Sequence, residues 1–301
     1  MSKTITKAVC PNFNDIVAST KTIIGVSNIE MNIEGVFNEL ETKEYNVVKK
    51  RRGRRKKDAC EGDPNKLSDG DIISLKYRDK VRGVNLKKNT SRKFFRNALT
   101  VVMYVDDKFI NFKLSQNGKF QITGPKKTEQ AVKSIKTFWN LIKDNKDLYT
   151  YKKEKVFRVI FLTVMTNIDF NIGFNVDREK LDTYINEFTK YNSLLEMSFG
   201  YTGVNIKFPI DKKLDFYVPR ISYIDNEWKG DNIMYDEYLE TLSKDEYDKQ
   251  VNKSRYNTFL VFHSGNVIMS GMIKKYMKDE YNQFIKIMQG CKEKFQEKLD
   301  T

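Results

Sequence analysis

Cysteine and histidine are nearly absent from this chain of 301 residues, which holds three cysteines and one histidine. Cys10, Cys60 and Cys291 lie far apart with no CxxC pair, and His263 is the lone imidazole. Neither a zinc site nor a histidine-dependent catalytic triad is therefore expected. Sparse, odd-numbered cysteines and the polar start MSKTITKAVCPN lead to the expectation of a reducing interior compartment. No run of ~18 apolar residues occurs, so no membrane span is expected. Also missing are the HExxH, GxSxG, GxxxxGK[ST] and DxDxDG patterns that hold metals, nucleophiles or phosphates. The adjacent carboxylates Asp106 and Asp107, and Asp245 and Glu246, read as solvated turn or helix residues and not as a catalytic pair. The sequence thus predicts a protein that is not an enzyme and carries no cofactor or metal.

What is present is a basic, globular composition. Hydrophobic residues make up 40% and aromatics 13%, enough to bury a core. The length suits one large domain or two similar halves. Lys and Arg number 54 against 40 Asp and Glu, a net charge of +14, which fits either a polyanionic partner or simply a soluble basic protein. The densest charge is Lys49-Lys-Arg-Arg-Gly53-Arg-Arg-Lys-Lys57, read as a solvated loop, a nuclear import signal or a phosphate-grasping arm.

An internal repeat fixes more than composition does. Ile110-Asn-Phe-Lys-Leu-Ser-Gln-Asn-Gly118-Lys-Phe-Gln-Ile-Thr123-Gly124 and Thr258-Phe-Leu-Val-Phe262-His-Ser-Gly265-Asn-Val-Ile-Met-Ser270-Gly271 both read strand, glycine turn, strand, glycine. The offsets 265 − 118 and 271 − 124 are both 147. Apolar residues at helical spacing follow each second glycine: Ala131, Val132, Ile135, Phe138, Trp139 and Ile142, then Met277, Tyr281, Phe284, Ile285 and Met288. Upstream, each half opens with a strand (Ile16 to Ile24; Phe157 to Phe170) and an amphipathic helix (Glu30 to Leu40; Asp177 to Phe188). The predicted fold class is α+β. Two pseudo-symmetric repeats, 1–145 and 146–301, share one curved antiparallel sheet with helices on one side, leaving the other sheet face free to bind. Insertions are expected at about 46–92 and 209–255.

These hairpins, together with Val101-Val102-Met103 and Pro11-Asn-Phe-Asn-Asp15-Ile-Val17, resemble the repeats of TATA-box-binding protein over most of residues 12–290. Phe94-Phe95-Arg96-Asn97 and Asn117-Gly118-Lys119-Phe120-Gln121-Ile122-Thr123-Gly124 resemble the divergent versions carried by large cytoplasmic DNA viruses. The resemblance implies a saddle that grips duplex promoter DNA through the minor groove, driving aromatic wedges between base steps. It assigns wedge positions to Phe262 and Tyr201 in the second repeat and to Ser115 and Ala98 in the first. Ser115 and Ala98 cannot wedge, which leaves Phe94, Phe95 or Phe112 as substitutes. The positions of the two central asparagines hold Asp15 and Met165, with Asn167 on the same strand face as Met165. Val17, Gln121, Thr123, Leu260, Ile268 and Ser270 match positions that press on the groove floor. Lys119 and Lys126 match phosphate contacts, whereas the second repeat has Asn266 and Ile273 there, with Lys274 one residue away. The implied partners are double-stranded promoter DNA, a TFIIB-like factor near Leu194 to Val204, and RNA polymerase, in the nucleus or, for a viral protein, in a cytoplasmic virus factory and the virion. Rival readings are a degenerate repeat protein that docks other proteins, a single-stranded nucleic-acid binder, and the related folds found within DNA glycosylases and ribonucleases.

Overall fold

The computed structural model describes residues 10–45, 67–85, 97–196 and 202–297. The strands and helices run in the order β1 Ala18–Ser27, β2 Ile29–Met31, α1 Ile33–Glu39, β3 Ile72–Tyr77, β4 Lys80–Gly83, β5 Ala98–Val105, β6 Lys108–Ser115, β7 Lys119–Thr123 and α2 Thr128–Ile142. Then come β8 Tyr149–Tyr151, β9 Phe157–Asn171, α3 Arg178–Phe188, β10 Asn192–Glu196, β11 Gly203–Pro209, β12 Tyr217–Ile224, β13 Glu227–Met234, α4 Tyr235–Glu240 and α5 Lys244–Val251. The chain ends with β14 Tyr256–Phe262, β15 Asn266–Gly271, α6 Lys278–Gly290 and α7 Lys292–Phe295. The class is α+β, as expected, and every strand pairing given by the register is antiparallel.

Two compact units emerge. Unit I comprises Thr22–Leu162 and Val218–Ile233; unit II comprises Met1–Lys21, Thr163–Tyr217 and Met234–Thr301. In unit I the sheet runs β1, β7, β6, β5, β3, β4. In unit II it runs β9, β15, β14, β11, β10, so opening strand, hairpin and outer strands recur in the same order. Of the predicted first insertion, residues 67–85 build β3 and β4, and β3 is a buried strand in register with β5. Of the second, β12 pairs with the start of β9 in unit I, where Trp228 packs edge-on against Phe157 at 6.1 Å. Helices α4 and α5 belong to unit II.

Strand alternation divides each sheet into a core side and an outer side. In unit I, Phe112, Phe120 and Ile122 point to the side covered by α2, where Phe138 meets Phe112 at 5.6 Å and Phe120 at 5.7 Å. Trp139 of the same helix stacks on Phe157 at 3.9 Å. In unit II, Phe259, Val261, Val267 and Met269 are buried with α6, and Phe284 stacks on Phe259 at 4.2 Å. Helix α3 begins where predicted, because the Asp177 carboxylate accepts the Lys180 N–H at 3.1 Å and satisfies a free amide of the first turn.

Both hairpin glycines are required. Gly118 has φ 73° and Gly265 φ 74°, left-handed backbone that suits a tight hairpin. A Cβ at Gly118 would overlap the Ile29 carbonyl oxygen, and one at Gly265 the Phe174 carbonyl oxygen. The Gly118 carbonyl accepts the Ser27 N–H at 3.1 Å and the Gly265 carbonyl accepts the Ile172 N–H at 2.9 Å. These matched bonds give the opening strands an offset of 172 − 27 = 145.

Gly118→Ala and Gly265→Ala are each expected to cost more than ~2 kcal/mol, since left-handed strain of ~1–2 kcal/mol adds to the overlap with a carbonyl. Gly124→Ala, at φ 101° with only the Phe109 carbonyl oxygen in ordinary contact at 3.4 Å, is expected to cost less. Denaturant midpoints measure the difference; equal losses at all three would show that the carbonyl overlap is unimportant.

Candidate nucleic-acid interface

The outer faces hold most of the residues picked out by the resemblance. In unit II, Leu260 pairs with Ile268 and Thr258 with Ser270; Ser270 in turn pairs with Asn167. All are half-exposed and alternate with the buried residues that meet α6. Phe262 ends β14, half-exposed, opposite Gly203. Its carbonyl accepts the Gly265 N–H at 3.0 Å, so the hairpin turn fixes where the ring leaves the sheet. Met165 and Asp169 flank Asn167 on the same side of β9, and both are exposed. The Asn167 amide donates to Thr20 Oγ1 at 3.3 Å, and its backbone carbonyl accepts from Ser19 Oγ at 3.2 Å.

In unit I the corresponding face is polar on β6 and β7, with Ile24 and Val26 of β1 beside it. Gln121, exposed, lies between Lys113 and Ile24; Thr123 lies between Asn111 and Thr22. Lys119 opens β7 opposite Val26. Ser115 pairs with Ala98, and its hydroxyl donates to Asn117 Oδ1 at 2.5 Å within the turn. No aromatic ring stands at this position. Phe112 cannot substitute: it is wholly buried in the core, packed on Phe120 and Phe138, because it falls on the opposite strand parity from Ser115. Phe94, Phe95, Tyr201, Cys60 and the basic run 49–57 lie outside the described residues, as does the middle of the 194–204 segment, where Leu194 is 63% exposed.

Asp15 and Val17 are not strand residues. Asp15 closes the 3-10 turn Phe13–Asp15, and Val17 precedes β1 at 76% exposure. Between them, buried Ile16 gives its carbonyl to the Lys274 ammonium at 2.5 Å. The matched bonds of the opening strands, offset by 145, instead make Thr20 the counterpart of Met165 and Thr22 that of Asn167. Lys274, one residue from the phosphate position that Ile273 holds in the resemblance, is bonded here and lies over the Phe13 ring at 5.2 Å.

Cationic groups gather on unit I. Lys126 is exposed just ahead of α2. Burial, and then the charge of Lys126, pull the Lys108 ammonium below its usual range. The adjacent carboxylates lie in a turn and a helix: Asp106 pairs with Lys133 at 2.5 Å and Asp107 accepts from Tyr104 at 2.9 Å in the β5–β6 turn, and Asp245 and Glu246 open α5, where Glu246 accepts from Ser243 Oγ at 3.3 Å. Among the described residues no group of three or more His, Cys, Asp or Glu side chains could hold a metal, and no helix is long and apolar enough to cross a membrane.

Sequence reading passed over two outer-face residues. Lys113 is where the hairpin offset of 147 carries Leu260, and Asp169 is two residues beyond Asn167, so both were legible from spacing.

No family model matches the chain. It is 29% identical over 239 residues to uncharacterized protein 335L of Invertebrate iridescent virus 6, spanning 74% of this chain and 68% of that protein. It is 27% identical over 175 residues to a TATA-box-binding protein-like protein of Acanthamoeba polyphaga mimivirus, spanning 48% of each. Among solved structures, Methanococcus jannaschii TBP aligns with a TM-score of 0.45 and 11% identity over 93% of this chain and 99% of that one. The chain is thus similar to the divergent, viral type of TATA-box-binding-protein-like protein, as its hairpin residues imply.

Proposed function

We propose that this protein is a transcription initiation factor that binds A·T-rich promoter duplex through the minor groove, bends it, and recruits a TFIIB-like factor and RNA polymerase. It performs no catalysis, and it acts inside the cell, in the nucleus or a viral factory. The observation that carries this reading is the placement of Leu260, Phe262, Ile268 and Ser270 together on the sheet face turned away from α6. An apolar strip with a half-exposed phenylalanine at its end suits a groove floor that presents only acceptors and no guanine amino group. Unstacking a base step costs a few kcal/mol, and burying an aromatic ring recovers an amount of that order. Lys119 and Lys126 supply phosphate contacts that position the duplex without reading it.

A second reading, a docking subunit that does not bend DNA, is favoured by Ser115 at the place of Phe262 in unit I, where the register makes Ala98 the counterpart of Gly203 and not of a wedge residue, and by the exposed Asp15 and Asp169 of unit II. Carboxylates beside phosphate repel it.

The two readings part in a fluorescence energy-transfer assay on end-labelled duplexes. Tight, A·T-selective bending that Phe262→Ala abolishes is expected; unselective, unbent and purely salt-dependent binding would transfer the assignment to the docking subunit. Phe262→Ala should leave stability within ~1 kcal/mol, whereas Phe112→Ala should cost ~3–5 kcal/mol as a core truncation. Replacing Lys119 and Lys126 together by alanine should lower the slope of log affinity against log salt by about two while retaining A·T preference. A changed base preference in that variant would contradict a phosphate role.

A further inference from the structure

The two hairpins present different chemistry at equivalent places. Leu260 faces Ile268 across β14 and β15; 147 residues earlier, Lys113 faces Gln121 across β6 and β7. Both pairs lie on outer faces, each one step from the wedge position along its strand, since Leu260 precedes Phe262 by two residues and Lys113 precedes Ser115 by two. Lys113 is half-buried and Gln121 exposed. Around them stand Thr100 opposite Lys113, Ile24 opposite Gln121 on its other side, and Asn111 opposite Thr123, so Gln121 sits between an ammonium and one apolar side chain. One unit thus offers a half-exposed apolar pair, and the other an ammonium beside a carboxamide.

From this difference we infer that Lys113 and Gln121 are specificity-determining residues that let unit I accept G·C pairs in its part of a DNA site, while Leu260 and Ile268 confine unit II to A·T. The inference rests on the minor-groove reading and goes beyond it. In the minor groove every base pair offers N3 or O2 acceptors, and only G·C adds the guanine amino donor. Leucine and isoleucine pressed on that floor leave the amino group desolvated and without an acceptor, a penalty characteristic of a lost buried hydrogen bond. Gln121 can accept from it through its side-chain oxygen, and the Lys113 ammonium can donate to the N3 or O2 acceptors that all pairs share. Discrimination against G·C therefore disappears where these two stand. Asp169, beside Ile268 on β9, also carries acceptors, but it stays constant when only unit I is varied.

Selection of bound sites from a random duplex pool, followed by competition binding of single G·C replacements along the selected site, tests this. Wild type is expected to yield an asymmetric site, with G·C costing about tenfold or more in affinity in one half and less than about threefold in the other. Lys113→Leu with Gln121→Ile should restore a cost of about tenfold in both halves. The reciprocal Leu260→Lys with Ile268→Gln, a second variant in case the first does not fold, should relax both. A wild-type site that demands A·T in both halves, or a Lys113→Leu, Gln121→Ile profile identical to wild type, overturns the inference and leaves the groove reading intact. So does a variant that weakens all sequences equally, which would make Lys113 a phosphate contact. Absence of any Phe262-dependent selection of duplex would overturn both.

Discussion

Hairpin register is the constraint on which the candidate interface depends. In a strand the side chains alternate, so a slip of one residue would send Phe259 and Val261 outward and Leu260 and Phe262 into the core. Gly118 and Gly265 prevent the slip: each turns through left-handed backbone, leaves no room for a Cβ, and gives its carbonyl to the end of the opening strand. The same closure joins hairpin to opening strand, and so carries the binding face from β14 and β15 onto β9 in unit II and from β6 and β7 onto β1 in unit I.

From that common order of opening strand, hairpin and outer strands the two units diverge most in the chemistry of the outer face. Unit II keeps an apolar strip ending in Phe262; unit I replaces it with Lys113, Gln121 and Ser115 and adds Lys119 at the start of β7. The cores differ less, each built on an aromatic helix residue packed on a hairpin phenylalanine: Phe138 on Phe112 and Phe120, and Phe284 on Phe259. Substitution on the outer face costs little folding energy, so that face is free to change its ligand chemistry.

Much of this was legible in the sequence because it is written locally. The glycine turns, the apolar spacing of α2 and α6 and the Asp177 cap each act over a few residues. Less legible were features decided at long range. The stretch predicted as a helix from Glu30 begins at Ile33 because Ile29–Met31 pairs with β8. Asp15 and Val17 resemble strand residues, yet the hairpins are offset by 147 and the opening strands by 145, so no single alignment of the repeats carries through to the start of the chain. Phe112 as a wedge failed on strand parity alone. The pairing of β12 with β9 has no local signature, since it joins residues about 60 apart through backbone hydrogen bonds available to any sequence.

The central claim, that the outer sheet faces and not the helices meet DNA, is tested most directly by hydroxyl-radical footprinting of the protein with and without an A·T-rich duplex, read by mass spectrometry. The account predicts protection of Leu260, Phe262, Ile268 and Met165, with the exposed helix residues Leu141 and Phe188 unchanged. Protection of Leu141 or Phe188 with the β14–β15 face still reactive would contradict it.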